Sequence, residues 1–208
     1  IRNKVFLSGF ELDLSLGEYN NKQLSTLSSS MSGNTTTLET QQDRILFVGL
    51  NGNIALADFI LKFDTSHKKG KRFPNSNPLS SPWSEHEVSE FSFGADYSGI
   101  NDLSINVELA NAYIHNHNTR LANKQNEYGY SVRFNWRLYN DLLDLSLQHA
   151  NILGDNGSFS SFSAAYELSD SVNIGGKIIS FDSDRNTQQL FPYRNQDLIQ
   201  LTADYYFN

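Results

Sequence analysis

The segment Glu127–Leu138 has the sequence EYGYSVRFNWRL, in which two kinds of side chain alternate. Aromatic and aliphatic residues occupy the even positions 128–138, whereas Gly, Ser, Arg and Asn occupy the odd positions 129–137. A period of two predicts a β-strand with one apolar and one polar face. Strands of soluble sandwiches are typically about five or six residues long. A tilted strand that crosses a bilayer needs about 9–11 residues, which this segment provides.

The same alternation recurs along the whole chain. Asp102–Asn116 places Leu103, Ile105 and Val107 on one face and polar residues on the other. Eight more segments follow the pattern, and we predict about ten strands in all. The eight are Lys4–Leu16, Leu38–Leu50, Asn53–Thr65, Glu85–Tyr97, Asp141–Leu153, Ser158–Leu168, Ser171–Asp182 and Gln196–Phe207.

Short and long connections alternate along the predicted order of strands. The short ones are Asn51-Gly52, Ser98–Asn101, Tyr139-Asn140 and Ser169-Asp170. The long ones are Gly17–Thr37, Ser66–Ser84, His117–Asn126 and Ser183–Asn195, while Gly154–Gly157 is short in a long position. Outer-membrane barrels have short periplasmic turns and longer extracellular loops. The alternation therefore favours such a barrel over a soluble sandwich, which stays as the structural alternative.

Composition narrows the class of protein. No run of about 18 apolar residues occurs, so the sequence does not predict a membrane-spanning helix. The absence of cysteine excludes disulfides and thiolate sites, and the net charge of -7 argues against nucleic-acid binding. Inside a bilayer every backbone polar group must be paired, so a spanning sheet must close. We predict an all-β, antiparallel transmembrane β-barrel over residues 1–208, or the C-terminal part of a longer barrel, in the bacterial outer membrane.

Both ends of the chain bear on this interpretation. The sequence begins at Ile1, with no Met and no signal-peptide pattern, so we expect a processed or partial chain. At the other end Ala203–Phe207 resembles the aromatic, alternating assembly signal of exported barrels, although Asn208 follows it. The barrel assembly machinery is therefore an expected partner.

A wider resemblance covers about the last three-fifths of the chain. The strings that carry it are Phe91–Gly99, Leu103–His117, Tyr130–Leu147 with Trp136–Asp141, Ala165–Ser171 and Asn195–Phe207. Together they resemble the C-terminal portion of a family of uncharacterised proteobacterial outer-membrane barrels, often encoded beside RND-type exporters. Family members are longer than this chain. The resemblance implies a role in export or passage across the outer membrane, with an inner-membrane exporter as a partner, and it carries over no catalytic residues.

If the apolar faces meet lipid and lipopolysaccharide, the charged positions of the other face line the interior. The predicted lumen-lining residues are Glu90, Asp96, Glu108, Arg133, Arg137, Asp144, Glu167, Lys177 and Asp204. Such a lining predicts a channel or export-associated porin that selects permeants by charge. The alternative is a structural or docking barrel whose interior is filled by ion pairs and which acts through its loops.

A dense basic run and several histidines invite other chemistry. Lys68, Lys69, Lys71 and Arg72 lie in a predicted extracellular loop and are candidates for binding an anion such as a lipopolysaccharide phosphate, or they form a solvated loop. His86, His115 and His117 are expected at one rim, as exposed loop-edge side chains rather than metal ligands. We predict no metal and no cofactor.

An outer-membrane enzyme is the third hypothesis, and we expect the chain not to be one. Enzymatic barrels pair a Ser or Asp with a His on the outer face or the outer rim. His149 and Asp144 are an odd number of residues apart, which puts them on opposite faces of one strand. No Gly-x-Ser-x-Gly motif occurs.

Overall fold

A computed structural model describes residues 2–7, 9–33, 35–76, 83–154, 156–186 and 188–207. These residues form one antiparallel sheet of eleven strands, in which each strand pairs with its neighbours in sequence. The strands are β1 (Arg2–Leu7), β2 (Phe10–Ser32), β3 (Thr35–Leu56), β4 (Phe59–Pro74), β5 (Trp83–Ile100), β6 (Leu103–Ile114), β7 (Asn126–Leu138), β8 (Leu143–Asn151), β9 (Ser158–Ser169), β10 (Val172–Asp182) and β11 (Leu198–Tyr205). A short 3-10 helix, Phe191–Tyr193, precedes β11. The sheet is not closed, because β1 and β11 each have one neighbour.

The strands from β5 to β11 confirm the sequence prediction to within a few residues. The predicted first strand, Lys4–Leu16, is wrong: it is two strands, β1 and β2, joined around Gly9 at a φ of 75°. Alternation alone does not reveal this turn, because the antiparallel partner Leu7 of Phe10 is also apolar. The described residues therefore contain eleven strands, in agreement with the prediction of about ten.

The predicted hairpin turn at Asn51-Gly52 is wrong, because both residues lie inside β3. The chain turns instead at residues 57–58, where Ala57 has a φ of 50°. Gly52 is explained by close approach of a neighbouring strand. A Cβ atom there would lie 2.8 Å from the carbonyl oxygen of Glu11 and 2.8 Å from Cε1 of Phe63.

Two predicted loops are largely strand. The described part of Gly17–Thr37 belongs to β2 and β3, which meet at Gly33 with a φ of 59°. In the same way β4 runs on to Pro74, so much of the predicted loop Ser66–Ser84 is paired. Both stretches are rich in polar residues on both faces. Backbone pairing does not require an apolar face, so a strand that leaves the bilayer loses its period-two pattern without losing its ladder.

The predicted sorting of connections by length is confirmed from β3 onward. Residues 57–58, 101–102, 139–142 and 170–171 make the short turns at one end of the strands. The longer connections follow β4, β6, β8 and β10 at the other end, and their described parts are residues 75–76, 115–125, 152–154 with 156–157, and 183–186 with 188–197. At the short-turn end, Tyr139, Asn140 and Asp141 all have positive φ, between 55° and 68°.

One face of the sheet is apolar and remains exposed. Across β7 to β10 the cross-strand neighbours Phe134, Leu147, Phe162 and Ile178 form a continuous row. These side chains are 39–49% exposed. A soluble sandwich would cover such a row with a second layer of structure. Exposed apolar rows on one face only are what contact with lipid requires.

The chain divides into two compact units. The N-terminal unit comprises Ile1–Asn53, Phe63–Ser92 and Asn111–Glu127, and the C-terminal unit comprises Ile54–Lys62, Phe93–Ala110 and Tyr128–Asn208.

In the N-terminal unit the β6–β7 connection, residues 115–125, folds back onto the end of β4. The amide of Ser76 donates to the carbonyl of Arg120 at 2.7 Å, and the amide of Ala122 donates to the carbonyl of Pro74 at 2.9 Å. Leu121, between them, is only 5% exposed. The connection is therefore a docked loop, anchored by backbone pairing and one buried leucine.

We expect Gly52→Ala to destabilise the barrel by about 1–3 kcal/mol, because the added methyl group has no room against the backbone of Glu11. The matched control is Gly94→Ala, where a Cβ atom would have ordinary contacts of 3.6 and 3.8 Å. The measurement is the urea midpoint of the refolded protein, followed by heat-modifiable gel mobility. Equal midpoints for the two variants would contradict the close approach.

We expect Leu121→Ser to release the docked loop, since the buried side chain loses its apolar contacts. Trypsin should then cut after Arg120 and Lys124 several times faster than in the parent protein. Mass spectrometry of the fragments measures this rate, and Thr119→Ser, at an exposed position, is the control. Unchanged cleavage in Leu121→Ser would show that the backbone pairs alone hold the loop.

Candidate functional site: the polar face of the sheet

The polar face of the C-terminal unit is built from rows of cross-strand neighbours. Arg137 pairs with Asp144, and Asp144 with Ala165. Gly175 continues this row from Ala165. The next row contains Asn135, Ser146, Ser163, Lys177 and Gln200. These residues lie opposite the apolar row, as alternation along a strand requires.

Small residues leave room on this face. Ala165 and Gly175 follow the charged pair Arg137 and Asp144 across the sheet. A cleft of about 510 Å³ lies here, and its lining includes Ser104, Asn135, Arg137, Asp144, Ser146 and Ser163. A second cleft of about 200 Å³ includes Gly175, Lys177, Gln200 and Thr202. The polar face therefore offers hydrated space beside fixed charges.

Many charges of this face are unpaired within the described ranges. No ion pair joins Glu108, Asp144, Glu167, Lys177 or Asp204 to another described residue. Glu167 and Asp204 are both register neighbours of Asn173, so two carboxylates face the same strand position. Arg133 donates to Oε1 of Gln148 at 3.1 Å, and Arg137 lies 3.4 Å from Asp141. Asp96 is the exception, because Lys62 and Asn106 both contact it.

In the N-terminal unit the same face is filled. Arg2 and Lys4 from β1 contact Asp13 on β2, whose side chain is 1% exposed, and Lys4 also contacts Glu11. Asn53 donates to Glu11 at 3.1 Å. These groups satisfy one another rather than a permeant.

Glu90 is held between two lysines of β4. It contacts Nζ of Lys68 and lies 3.1 Å from Nζ of Lys71. Residues three apart on a regular strand would point to opposite faces. Gly70 lies between the lysines with a φ of 90°, and a Cβ atom there would lie 2.6 Å from the carbonyl oxygen of Arg44. This local irregularity brings Lys71 to the same carboxylate as Lys68.

A buried apolar group adjoins these ion pairs, and sequence reasoning missed it. Its members are each at most 6% exposed: Ile45, Phe73, Val88, Ile114 and Leu121. The run Ala112-Tyr113-Ile114 carries the one available signal, because apolar residues occupy both alternating positions there. On this face, ion pairs and buried apolar side chains thus fill the N-terminal unit, whereas the C-terminal unit has clefts beside charged side chains.

The predicted basic cluster lies in strand β4 rather than in a loop, and each of its cations has a carboxylate neighbour. Lys69 lies 3.4 Å from Glu87, and Arg72 lies 3.3 Å from the buried Asp43. The expected role in anion binding stays a prediction.

The histidines His86 and His115 do lie together, as expected for one rim. Nδ1 of His86 is 3.1 Å from the carbonyl oxygen of His115. His117 instead contacts the carbonyl oxygen of Asn123 at 2.8 Å, inside the docked loop. Among the described residues no group of three or more His, Asp or Glu side chains could hold a metal ion.

The apolar side of the sheet carries a polar cluster that the sequence analysis did not assemble. Ser89 on β5 lies between His67 on β4 and His115, the first residue after β6. In the sequence these three residues are far apart and in no motif, so only the strand pairing brings them together.

Comparison with known proteins bears on the fold. No model of a protein family matches the sequence, and no curated protein matches it. Among the described residues, no helix has the length and apolar character needed to cross a membrane.

A solved structure that matches is OmpTdeltaL8, a loop L8 deletion mutant of OmpT, an outer membrane protein of Vibrio cholerae. The match has a TM-score of 0.55 at 15% identity and covers 99% of this chain. The chain spans 62% of the length of that protein. The fold is therefore that of an outer-membrane β-barrel protein, with eleven antiparallel strands in the described residues.

Proposed function

We propose that the chain is the wall of a channel in the bacterial outer membrane, with a polar lining of mixed charge. The observation that carries the proposal is the polar face of the C-terminal unit, where clefts adjoin charges that have no partner in the described ranges. Burying an unpaired charge in a packed interior is costly, so such groups favour a hydrated space. Rings and rows of charge in such a space select permeants by sign.

The predicted lining residues take different parts in this proposal. Glu108, Asp144, Glu167 and Asp204 supply negative charge, which Arg133, Arg137 and Lys177 partly offset. Asp96 and Glu90 are each engaged by lysine and contribute less to the field. We expect a weak preference for cations, since carboxylates outnumber the cations that face them.

A docking barrel is the second candidate, and the filled face of the N-terminal unit favours it. Ion pairs and buried apolar side chains occupy that face, and the paired strands β2 and β3 are each more than 20 residues long. A spanning strand needs about 9–11 residues, so this hairpin extends well beyond a bilayer. It would offer a surface for a partner such as an inner-membrane exporter, as the family resemblance implies.

The apolar face and the last strand suggest the remaining partners. Lipid and lipopolysaccharide would surround the exposed rows of the apolar face. The barrel assembly machinery would recognise β11, whose described side chains are all exposed. Catalysis is not part of this proposal.

Neutralising the lining arginines tests the channel. In planar bilayers, Arg137→Gln and Arg133→Gln should raise the ratio of cation to anion permeability about two- to fivefold. The reason is that a charge a few ångströms from a hydrated path contributes about 1 kcal/mol. Reversal potentials in a KCl gradient give the ratio.

Arg44→Gln is the matched control, because it removes the same charge from an arginine that is 74% exposed beside Glu18 on the long hairpin. Its selectivity should equal that of the parent protein. Absence of conductance from protein that heat-modifiable mobility shows to be folded would overturn the channel and leave the docking barrel.

A further inference from the structure

Strands β4 and β5 and the start of the β6–β7 connection bring a serine and two histidines into contact in the N-terminal unit. Oγ of Ser89 lies 2.8 Å from Nε2 of His115 and 3.1 Å from Nδ1 of His67. The two imidazole rings meet edge to face, with centroids 5.4 Å apart, and Tyr113 packs edge-on against His115 at 4.9 Å. The serine hydroxyl therefore lies between two nitrogen atoms, one from strand β4 and one from the residue that follows β6.

A carboxylate lies beside this arrangement at ion-pair distance. Oε2 of Glu87 lies 3.6 Å from Nε2 of His67, and Nζ of Lys69 lies 3.4 Å from Oε1 of Glu87. In the tautomer of His67 that carries its proton on Nε2, the nitrogen on the side of Glu87, Nδ1 presents its lone pair to the hydroxyl of Ser89. His115 then donates its Nε2 proton to Oγ. A chain of contacts from a carboxylate through an imidazole to a serine hydroxyl is the arrangement that activates serine as a nucleophile.

The cluster lies on the face of β5 that carries exposed aromatic side chains. Ser89 shares this face with Phe91 and Phe93, which are 48% and 39% exposed.

A cleft of about 230 Å³ opens beside the cluster. Its lining includes Lys69, Glu85, Glu87, His115 and Asn116. The ammonium group of Lys69 gives the cleft a cation next to the carboxylates. This arrangement suits an uncharged ester group, with the acyl chain lying along the exposed phenylalanines.

Although the sequence does not predict an enzyme, we propose that Ser89 is the nucleophile of a hydrolytic site for acyl esters of lipids in the outer leaflet. Oγ of Ser89 bonds to the ester carbonyl carbon while its proton passes to Nδ1 of His67. The carbon–oxygen bond to the alcohol breaks, and the alcohol oxygen takes that proton. Water then attacks the acyl-serine, gives a proton to His67, and releases the fatty acid as the hydroxyl of Ser89 is restored. Glu87 acts as a positioning residue for His67, and His115 holds Oγ in place.

The sheet contains a second serine–histidine pair that serves as a control. In the C-terminal unit Nδ1 of His149 lies 2.9 Å from Oγ of Ser160, and Nε2 lies 3.2 Å from the hydroxyl of Tyr130. Among the described residues no carboxylate lies within 4 Å of His149. The pair has the nucleophile and the base but not the carboxylate, so it should be unreactive.

The test uses the full chain refolded in detergent, with folding confirmed by heat-modifiable mobility. An alkyl fluorophosphonate should label Ser89, as located by mass spectrometry, and leave Ser160 unlabelled. Hydrolysis of p-nitrophenyl octanoate should fall at least about 10³-fold in Ser89→Ala and about 10²–10⁴-fold in His67→Gln. Ser160→Ala should keep the parent rate.

Glu87→Gln tests positioning. It should lower kcat about tenfold or more with KM unchanged, and Glu87→Asp should restore part of the rate. Vesicles of phosphatidylglycerol and purified lipopolysaccharide then distinguish the source of the ester by which one releases fatty acid. A folded parent protein that forms no adduct at Ser89, or a Ser89→Ala variant that hydrolyses as fast as the parent, overturns the proposal. Conductance should be the same in Ser89→Ala and parent protein, which separates this site from the channel.

Discussion

The structure depends on one constraint, the need to pair every backbone N–H and C=O group inside a bilayer. Water competes for these groups elsewhere, but lipid offers no partner, and each unpaired group costs several kcal/mol. A sheet in which every strand pairs with its sequence neighbours meets this constraint at every strand junction, and only the outer edges of β1 and β11 have no partner in the described residues. Once the backbone hydrogen bonds between strands are fixed, odd-numbered and even-numbered side chains of a strand point to opposite faces of the sheet. Phe134 and Arg133 therefore face different solvents although they are adjacent in the chain.

This separation explains why two unlike interiors fit on one face of the same sheet. The ladder requires nothing of the polar side chains, so they can be selected for other purposes. In the N-terminal unit Asp13 is buried against Arg2 and Lys4, and Glu90 is held by Lys68 and Lys71. In the C-terminal unit Ala165 and Gly175 leave space beside Asp144, and Lys177 has no ion-pair partner in the described ranges. The first unit is filled by ion pairs and buried side chains, whereas the second has clefts beside its charges.

The sequence predicted strands where lipid imposes alternation, and it failed where that influence ends. Between Glu127 and Leu138 the apolar face must meet lipid, so the pattern and the strand agree to within one residue. In residues 17–37 both faces are polar, and the sequence looks like a loop although its described part continues β2 and β3. Asn51-Gly52 was misleading for a different reason. A glycine that permits a tight turn and a glycine that makes room for the backbone of Glu11 cannot be told apart in the amino-acid sequence.

The candidate sites divide in the same way. Arg133, Arg137, Asp144 and Lys177 could be assigned to one face because parity within a strand is a local property. The contact of Ser89 with His67 and His115 depends on the pairing of β4, β5 and β6, and register between strands is not a local property. The irregularity at Gly70 adds to this, because it brings Lys71 to the same carboxylate as Lys68.

Polar side chains on the apolar face, such as His149 and Ser89, show how chemistry can arise where lipid gives way to water. Side chains there must form hydrogen bonds although they are not buried in a protein core. Hydroxyl and imidazole groups on neighbouring strands do so with one another. His149 with Ser160 and Tyr130 meets that need without a carboxylate. At Ser89 the addition of Glu87 beside His67 changes the role that the same residue types can play. A neutral pair only shares a proton, but an imidazole that faces a carboxylate can accept one and hold the resulting charge. On this face, the difference between a structural serine–histidine pair and the proposed catalytic site is therefore one carboxylate. It is that of Glu87, two residues along β5 from the serine that it would activate.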